Sequence, residues 1–329
     1  MQDVARAARV STATVSRALS RPERVSELTR EIVAEAIAAT GYRVNQAARN
    51  LRMQRAGAVL VLVHNLGKPF YSEILAGLSE GFAGTDYALL ITDTESSPLQ
   101  KGALAGYFTD GRIDGAISLD GSLPPEALED CTARGVSERI VFLCEWLDGA
   151  AFPAIVVDNA EGARMAVRHL HALGHRRLAH VEGPAGNVLT LSRRRGMEEA
   201  CEALGLAPPL IFPGDFSLES GQAAARAIID LDPRPTAVFC SADTAAFGVI
   251  AGLREGGLSV PQDVSVVGFD DIEMAAFYDP ALTTIRQERR KLGRRAAEVL
   301  VARLEGRAAP GEVLSVTLVE RGTTAAPPG

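Results

Sequence analysis

Ser79 sits in Gly77-Leu78-Ser79-Glu80-Gly81, the Gly-x-Ser-x-Gly spacing of a hydrolase nucleophile elbow, with Asp and His residues further along the chain. That chemistry needs a strand, a sharp turn carrying the serine, and then a helix. Here the nearest strand-like run ends near Val63, and Ile74, Leu75, Leu78 and Phe82 recur at helical spacing over residues 71–83. Ser79 is therefore expected in mid-helix, and only turnover that disappears in Ser79→Ala would revive hydrolysis. His169, His171 and His175 suggest a metal cluster. On a helix, however, His169 and His171 lie about 200° apart and cannot share an ion, and His175 follows Gly174, past the helix end. Cys131, Cys144, Cys201 and Cys240 have no paired spacing for zinc or redox chemistry. No glycine loop followed by Lys-Ser/Thr is there to cradle a phosphate. The chain reads as a non-enzyme that needs no metal and no cofactor.

Charge points to a different chemistry. Residues 1–55 hold ten Arg and no Lys against five Asp plus Glu, a net of +5, whereas the whole chain is −7, which leaves −12 for the remainder. A small basic module on a large acidic body brings only one end to a polyanion. Residues 3–41 read as three short helices. The first buries Val4, Ala5 and Ala8. Ser11 caps a second, Thr12–Leu19, in which Val15 and Leu19 share one face while Ala13 and Arg17 project from the other, flanked by Thr12 and Ser16. Ser26 caps a third, with apolar positions at Leu28, Ile32, Val33, Ala36 and Ile37 and a stop at Gly41. Two short helices joined by a tight turn and braced by a third form a helix-turn-helix, whose second helix presents its polar face to the DNA major groove.

A chain of 329 residues exceeds one compact core. No apolar run approaches the roughly 18 residues that span a bilayer, and the N-terminus carries no charged-then-apolar signal segment. The expectation is a cytoplasmic, nucleoid-associated protein that does not meet a membrane. From residue 57 onward, strand-sized runs alternate with amphipathic stretches. They fall at Ala58–Val63, Ala88–Thr92, Gly115–Leu119, Ile140–Leu143, Ala154–Val157, Leu178–Val181, Leu210–Phe212, Ala237–Cys240 and Val264–Phe269. Such alternation gives parallel sheets covered on both faces, and about nine strands suit two sheets better than one. A ligand then sits beyond the carboxyl ends of the strands, in the crevice between two lobes.

The residues themselves resemble a known family. Asp3-Val4-Ala5, Val10-Ser11, Thr14-Val15-Ser16-Arg17, Val25-Ser26, Thr29-Arg30, Gly41-Tyr42 and Asn45 are similar to the DNA-binding head of the lactose-repressor (LacI/GalR) family. Val157-Asp158-Asn159, Gly174-His175, Gly183-Pro184, Arg193, Asp243, Val266–Asp271 and Thr283-Thr284-Ile285 extend the likeness over nearly the whole chain. The resemblance implies a head at 1–44, a hinge helix and linker at 45–56, and a body like periplasmic sugar-binding proteins. One lobe would be 57–157 with 286–316, the other 158–285, with three crossovers between them and a C-terminal tail at 317–329. It implies base contacts from Thr12, Ala13 and Arg17. Arg can bond bidentately to guanine, and the Ala and Thr methyls can meet a thymine methyl. Ser11, Thr14 and Ser16 would hold phosphates. Asn45 would cap the hinge helix, Ala48 would make its close contact with a twin, and Leu51 would enter the minor groove as a wedge that bends the DNA.

In the body the resemblance puts effector contacts on Phe70, Tyr71, Glu145, Arg193, Phe216, Asp243, Asp270 and Gln287. Several follow Val63, Cys240 and Phe269, where the strand pattern independently puts a cleft. Their chemistry suits a small polyhydroxylated ligand, with Trp146 as a further wall or as core. Three departures stand out: Arg9 where the family most often has Gly, Val44 in place of the usual Pro, and Lys68 in place of the usual Asn before Pro69-Phe70. Lys68 would bring a charge to the cleft mouth and suit an acidic or phosphorylated sugar. The expected protein is a homodimeric repressor on near-palindromic double-stranded operator DNA, controlled by a small-molecule effector that is most simply a carbohydrate. No C-terminal heptad helix is there to build a tetramer. The alternative is a sugar-binding transport component that never touches DNA, which would need an export signal in a longer chain.

Overall fold

The computed structural model describes residues 1–42, 50, 55–99, 102–147 and 152–328. The chain divides into two compact units, Met1–Ala56 and Gly57–Gly329. The first is helical: α1 (Gln2–Ala7), α2 (Thr12–Ser20) and α3 (Glu27–Thr40), with a short 3-10 turn at Pro22–Arg24. The caps are those the sequence specifies. The Ser11 hydroxyl accepts from the Thr14 N–H at 3.0 Å, the Ser26 hydroxyl accepts from the Thr29 N–H at 3.4 Å, and Gly41 closes α3 at φ 61°. Val4, Ala5, Ala8, Val15, Val33 and Ala36 form the core. Leu28 and Ile32, expected inside, are 67% and 39% exposed. The six-residue α1 covers only the Val33–Ala36 side of α3, so the rest of the apolar stripe faces outward.

Arg9 adopts φ 53°, the left-handed region in which a side chain crowds its own backbone. Arg9→Gly should stabilise the head by up to about 1 kcal/mol, the strain relief being offset in part by the larger backbone entropy that glycine loses on folding. Slower amide exchange in α1 and α2 of the full-length variant would report it, and unchanged exchange would show that Arg9 is not strained.

The second unit contains two six-stranded sheets. The first has the order β11-β5-β4-β3-β1-β2 and is wholly parallel. Its strands are β1 (Ala58–Val63), β2 (Ala88–Asp93), β3 (Gly115–Ser118), β4 (Ile140–Leu143), β5 (Ala154–Val157) and β11 (Glu312–Leu314). The second has the order β12-β10-β9-β8-β6-β7. It comprises β6 (Leu178–Val181), β7 (Leu210–Phe212), β8 (Ala237–Cys240), β9 (Ser265–Asp270), β10 (Thr283–Arg286) and β12 (Thr317–Val319). Only β12 runs antiparallel to its neighbour. The chain passes between the sheets three times, after β5, after β10 and after β11.

Residues 317–328 are not a free tail. β12 pairs with β10, the Thr323 side chain is fully buried and donates to the Val266 carbonyl at 2.7 Å, and Ala325 accepts from His175 Nε2 at 2.9 Å. Among the described residues no helix is long and apolar enough to cross a membrane.

Glycines set the helix packing. A Cβ on Gly77 would stand 2.0 Å from the Arg290 carbonyl oxygen, and one on Gly81 2.5 Å from Ala297 Cβ. The Gly-x-Ser-x-Gly spacing is therefore a contact surface. It lets the helix Tyr71–Gly81 lie against Arg289–Leu304, and it leaves Ser79 exposed in mid-helix.

Candidate functional sites

In the head, Val15 is fully buried beneath α2, and Thr12, Ala13 and Arg17 are exposed on its opposite side. Ser11 and Thr14 face each other, their hydroxyl oxygens 2.9 Å apart at the helix N-terminus. Free N–H groups and the helix dipole favour an anion there. Ser16 is half-buried. This face can meet a groove edge with one guanidinium and two methyl-bearing side chains, and its N-terminal hydroxyls can meet phosphates. Asn45, Ala48 and Leu51 lie outside the described residues, as does Val44.

In the second unit a cavity of about 410 Å³ opens at the carboxyl ends of the strands of both sheets. Both sheets switch direction beside their first strand, β1 in one and β6 in the other, and the loops that diverge there leave a crevice. The loop after β1 supplies His64, Lys68, Phe70 and Tyr71, and the end of β4 supplies Cys144 and Glu145. From the other sheet come the turn Pro184–Leu189, Phe216 after β7, and Asp270 at the end of β9. Arg193 reaches the cavity from the helix Val188–Ala203.

Arg193 is only 2% exposed and is fixed on every side. Its Nε donates to Asn159 Oδ1 at 2.9 Å, Nη1 donates to the Ser241 carbonyl, and Nη2 lies 4.0 Å from Asp270 Oδ1. The guanidinium stacks 3.8 Å from the centre of the Phe269 ring. Asp270 Oδ1 also accepts from Gln287 Nε2 at 2.7 Å. Burial pushes the Asp270 carboxyl up to about 6, against the pull of Arg193 and Arg289. Glu145 Oε2 accepts from the Gly121 N–H at 2.7 Å and Oε1 from Asn187 Nδ2 at 3.0 Å, and burial raises its carboxyl as well. Glu145 and Asn187 thus join the two walls of the cleft. Phe216, at φ 68°, lays its ring where Gly183 has no side chain, since a Cβ there would be 2.1 Å from the ring.

Six of the eight residues expected at the cleft line it: Phe70, Tyr71, Glu145, Arg193, Phe216 and Asp270. Asp243 and Gln287 do not. Asp243 is fully buried behind the cavity, accepting from the Thr284 hydroxyl at 2.5 Å and the Ile272 N–H at 2.8 Å, and it ties β10 to the loop after β9. Gln287 is buried and donates to Asp270 Oδ1 instead. Trp146 is half-buried and does not line the cavity. Two residues here went unnoticed in the sequence. Asn187 carries a legible signal, a polar cap before an apolar-periodic helix, whose Oδ1 accepts from the Leu189 and Thr190 N–H groups. Asn159 stood in the family signature without a role.

His169, His175 and His180 make their contacts within the fold, away from the cavity. His169 meets the Thr324 hydroxyl at 3.0 Å, and His175 contacts Thr236 and Ser265. His180 is fully buried, stacked at 4.9 Å on Phe239, with Nδ1 3.0 Å from the Phe239 carbonyl. Burial pushes its imidazole from the usual 6.5 to about 4. A histidine depressed in the fold gives stability that is lost as pH falls through its unfolded value. From pH 7 to pH 5 the wild type should lose about 2 kcal/mol more stability than His180→Phe. Parallel pH profiles in urea unfolding would rule this out.

An N-terminal helix-turn-helix with an exposed polar recognition face, followed by a two-sheet body built around a cleft, defines a DNA-binding regulator under small-molecule control. Residues 1–45 match the family described as bacterial regulatory proteins, lacI family, and residues 167–324 match the periplasmic binding protein-like domain. The transcriptional repressor CytR of Escherichia coli strain K12 is 35% identical over 332 residues, covering 100% of this chain and 97% of that protein. The Lac repressor dimer bound to operator and the anti-inducer ONPF superimposes with a TM-score of 0.83 at 31% identity, over 98% of each chain. The regulator CelR in complex with cellobiose gives 0.74 at 31% identity, again over 98% of each. The chain belongs to the LacI family of bacterial transcriptional regulators. It is a regulator and not an enzyme.

Proposed function

We propose that this protein represses transcription as a cytoplasmic homodimer on a near-palindromic operator, and that a small polyhydroxylated ligand in the cleft sets its operator affinity. The observation that carries the reading is the convergence of Arg193, Asp270, Glu145 and an aromatic wall on one cavity at the strand ends. A carboxylate accepts from paired hydroxyls, a guanidinium donates in a fork, and Phe216 offers a flat apolar face. The relatives support it, since one is named a repressor, one is a dimer on operator DNA, and one holds cellobiose.

In this reading Thr12, Ala13 and Arg17 touch bases, while Ser11, Thr14 and Ser16 touch phosphates. Asn45, Ala48 and Leu51 belong to a hinge helix that wedges the minor groove. The lobes are 57–157 with 286–316, and 158–285 joined by the last strand. Ligand and DNA binding are linked, so whatever factor the ligand imposes on operator affinity, the operator imposes on ligand affinity. Genomic fragments of the source organism are selected on purified full-length protein at near-physiological salt, with and without pooled sugars. Salt suppresses retention by phosphate contacts alone. A few near-palindromic sites whose recovery changes with sugar are expected. Recovery of random fragments under both conditions would refute the reading.

A further inference from the structure

Lys68 is half-buried in the wall of the cleft and, among the described residues, its ammonium makes neither a hydrogen bond nor an ion pair; Nζ stands 5.8 Å from the centre of the Phe216 ring. Every other charge at the site is answered. Arg193 is held by Asn159, Ser241 and Asp270. Asp270 is held by Gln287 and Arg193. The two oxygens of Glu145 accept from Gly121 and Asn187, and burial disfavours its charged form. Asp215, close enough to feel the charge of Lys68, accepts from the Ser217 N–H at 3.0 Å and the Ser217 hydroxyl at 2.5 Å. The cleft therefore carries a cation, partly removed from water, whose ammonium meets no acceptor; the Asp215 and Asp270 carboxylates are near enough to feel its charge, but their hydrogen bonds go to other groups. Loss of hydration raises the gain from a matching ligand charge.

We propose that the ligand carries an anionic group, a phosphate ester or a carboxylate, which seats against Lys68 at the mouth of the cleft while its hydroxyls face Asp270, Glu145 and Arg193. This rests on the cleft being the effector site. It adds that charge, read by Lys68, separates the true ligand from neutral sugars of the same shape. Lys suits this task as a compact point charge on a flexible stem, which can follow an oxyanion without demanding one bidentate geometry.

The test is calorimetric titration of full-length protein with matched probes: glucose, glucose 6-phosphate and glucuronate, and ribose with ribose 5-phosphate. At least one anionic probe should bind about tenfold or more tightly than its neutral parent, as a charge-assisted contact implies. The phosphate and uronate arms tell which anion is meant. Lys68→Asn should bring the ratio of anionic to neutral affinity down to about one, whatever it does to the neutral sugars themselves, while Lys68→Arg should keep the preference. Neutral parents that bind as tightly as their acids, or a preference that survives in Lys68→Asn, overturn the proposal and leave the cleft reading standing. Binding by no probe of either kind overturns both.

Discussion

Arg193→Ala should abolish the response of operator binding to ligand and lower the unfolding free energy of the body by about 3–5 kcal/mol. The guanidinium is 2% exposed and meets three acceptors and a ring face, so its removal strands the Asp270 carboxyl and the Ser241 carbonyl in a dry site. The cost arises from the groups left behind more than from the lost attraction. Arg193→Ala combined with Asp270→Asn should therefore recover part of the stability, because the stranded charge is gone, without recovering the ligand response. Chemical unfolding and operator titration with and without ligand separate the two effects. Wild-type stability in Arg193→Ala would show that the site is wetter than its geometry implies, and a retained response would remove Arg193 from the ligand contacts.

The second large effect belongs to the head. Arg17→Ala should cost about 1–3 kcal/mol per half-site and relax base preference at one position, with no loss of fold stability. Arg17 is exposed on α2, opposite fully buried Val15, so truncation opens no cavity. Ser11→Ala makes the contrast. It removes the cap accepted from Thr14, costs about 1 kcal/mol of stability, and should weaken all sequences alike. Binding-site selection with both variants reads the difference, and an unchanged preference in Arg17→Ala would sink its role as a base reader.

Much of this was legible in the residues because local rules and global fold agree. The caps at Ser11, Ser26 and Gly41 are short-range chemistry. Nine strands announced themselves as apolar runs, most of them because parallel strands are buried on both faces; the edge strands β2 and β7 are apolar without being fully buried. The three that did not announce themselves are β10, β11 and β12. β11 and β12 have three residues each, too few to show a period, and β10 is rich in threonine whose burial depends on partners far along the chain. The same limit explains Asp243. Its type suits a sugar hydroxyl, but the Thr284 hydroxyl and the Ile272 amide reach it first, from sequence distances no local pattern records. Leu28 and Ile32 show that periodicity marks a face without saying how wide its cover will be.

The two closing strands have a consequence for synthesis. Glu312 pairs with Ile155 and Thr317 with Arg286, so each sheet receives an outer strand only when the last part of the chain leaves the ribosome. The head needs none of this, since its core and the residues packed on it all come from residues 1–42. Long-range pairing is slow, and N-terminal units fold first during translation. A nascent chain stalled before Glu312 would thus carry a head with a complete core ahead of any body with complete sheets.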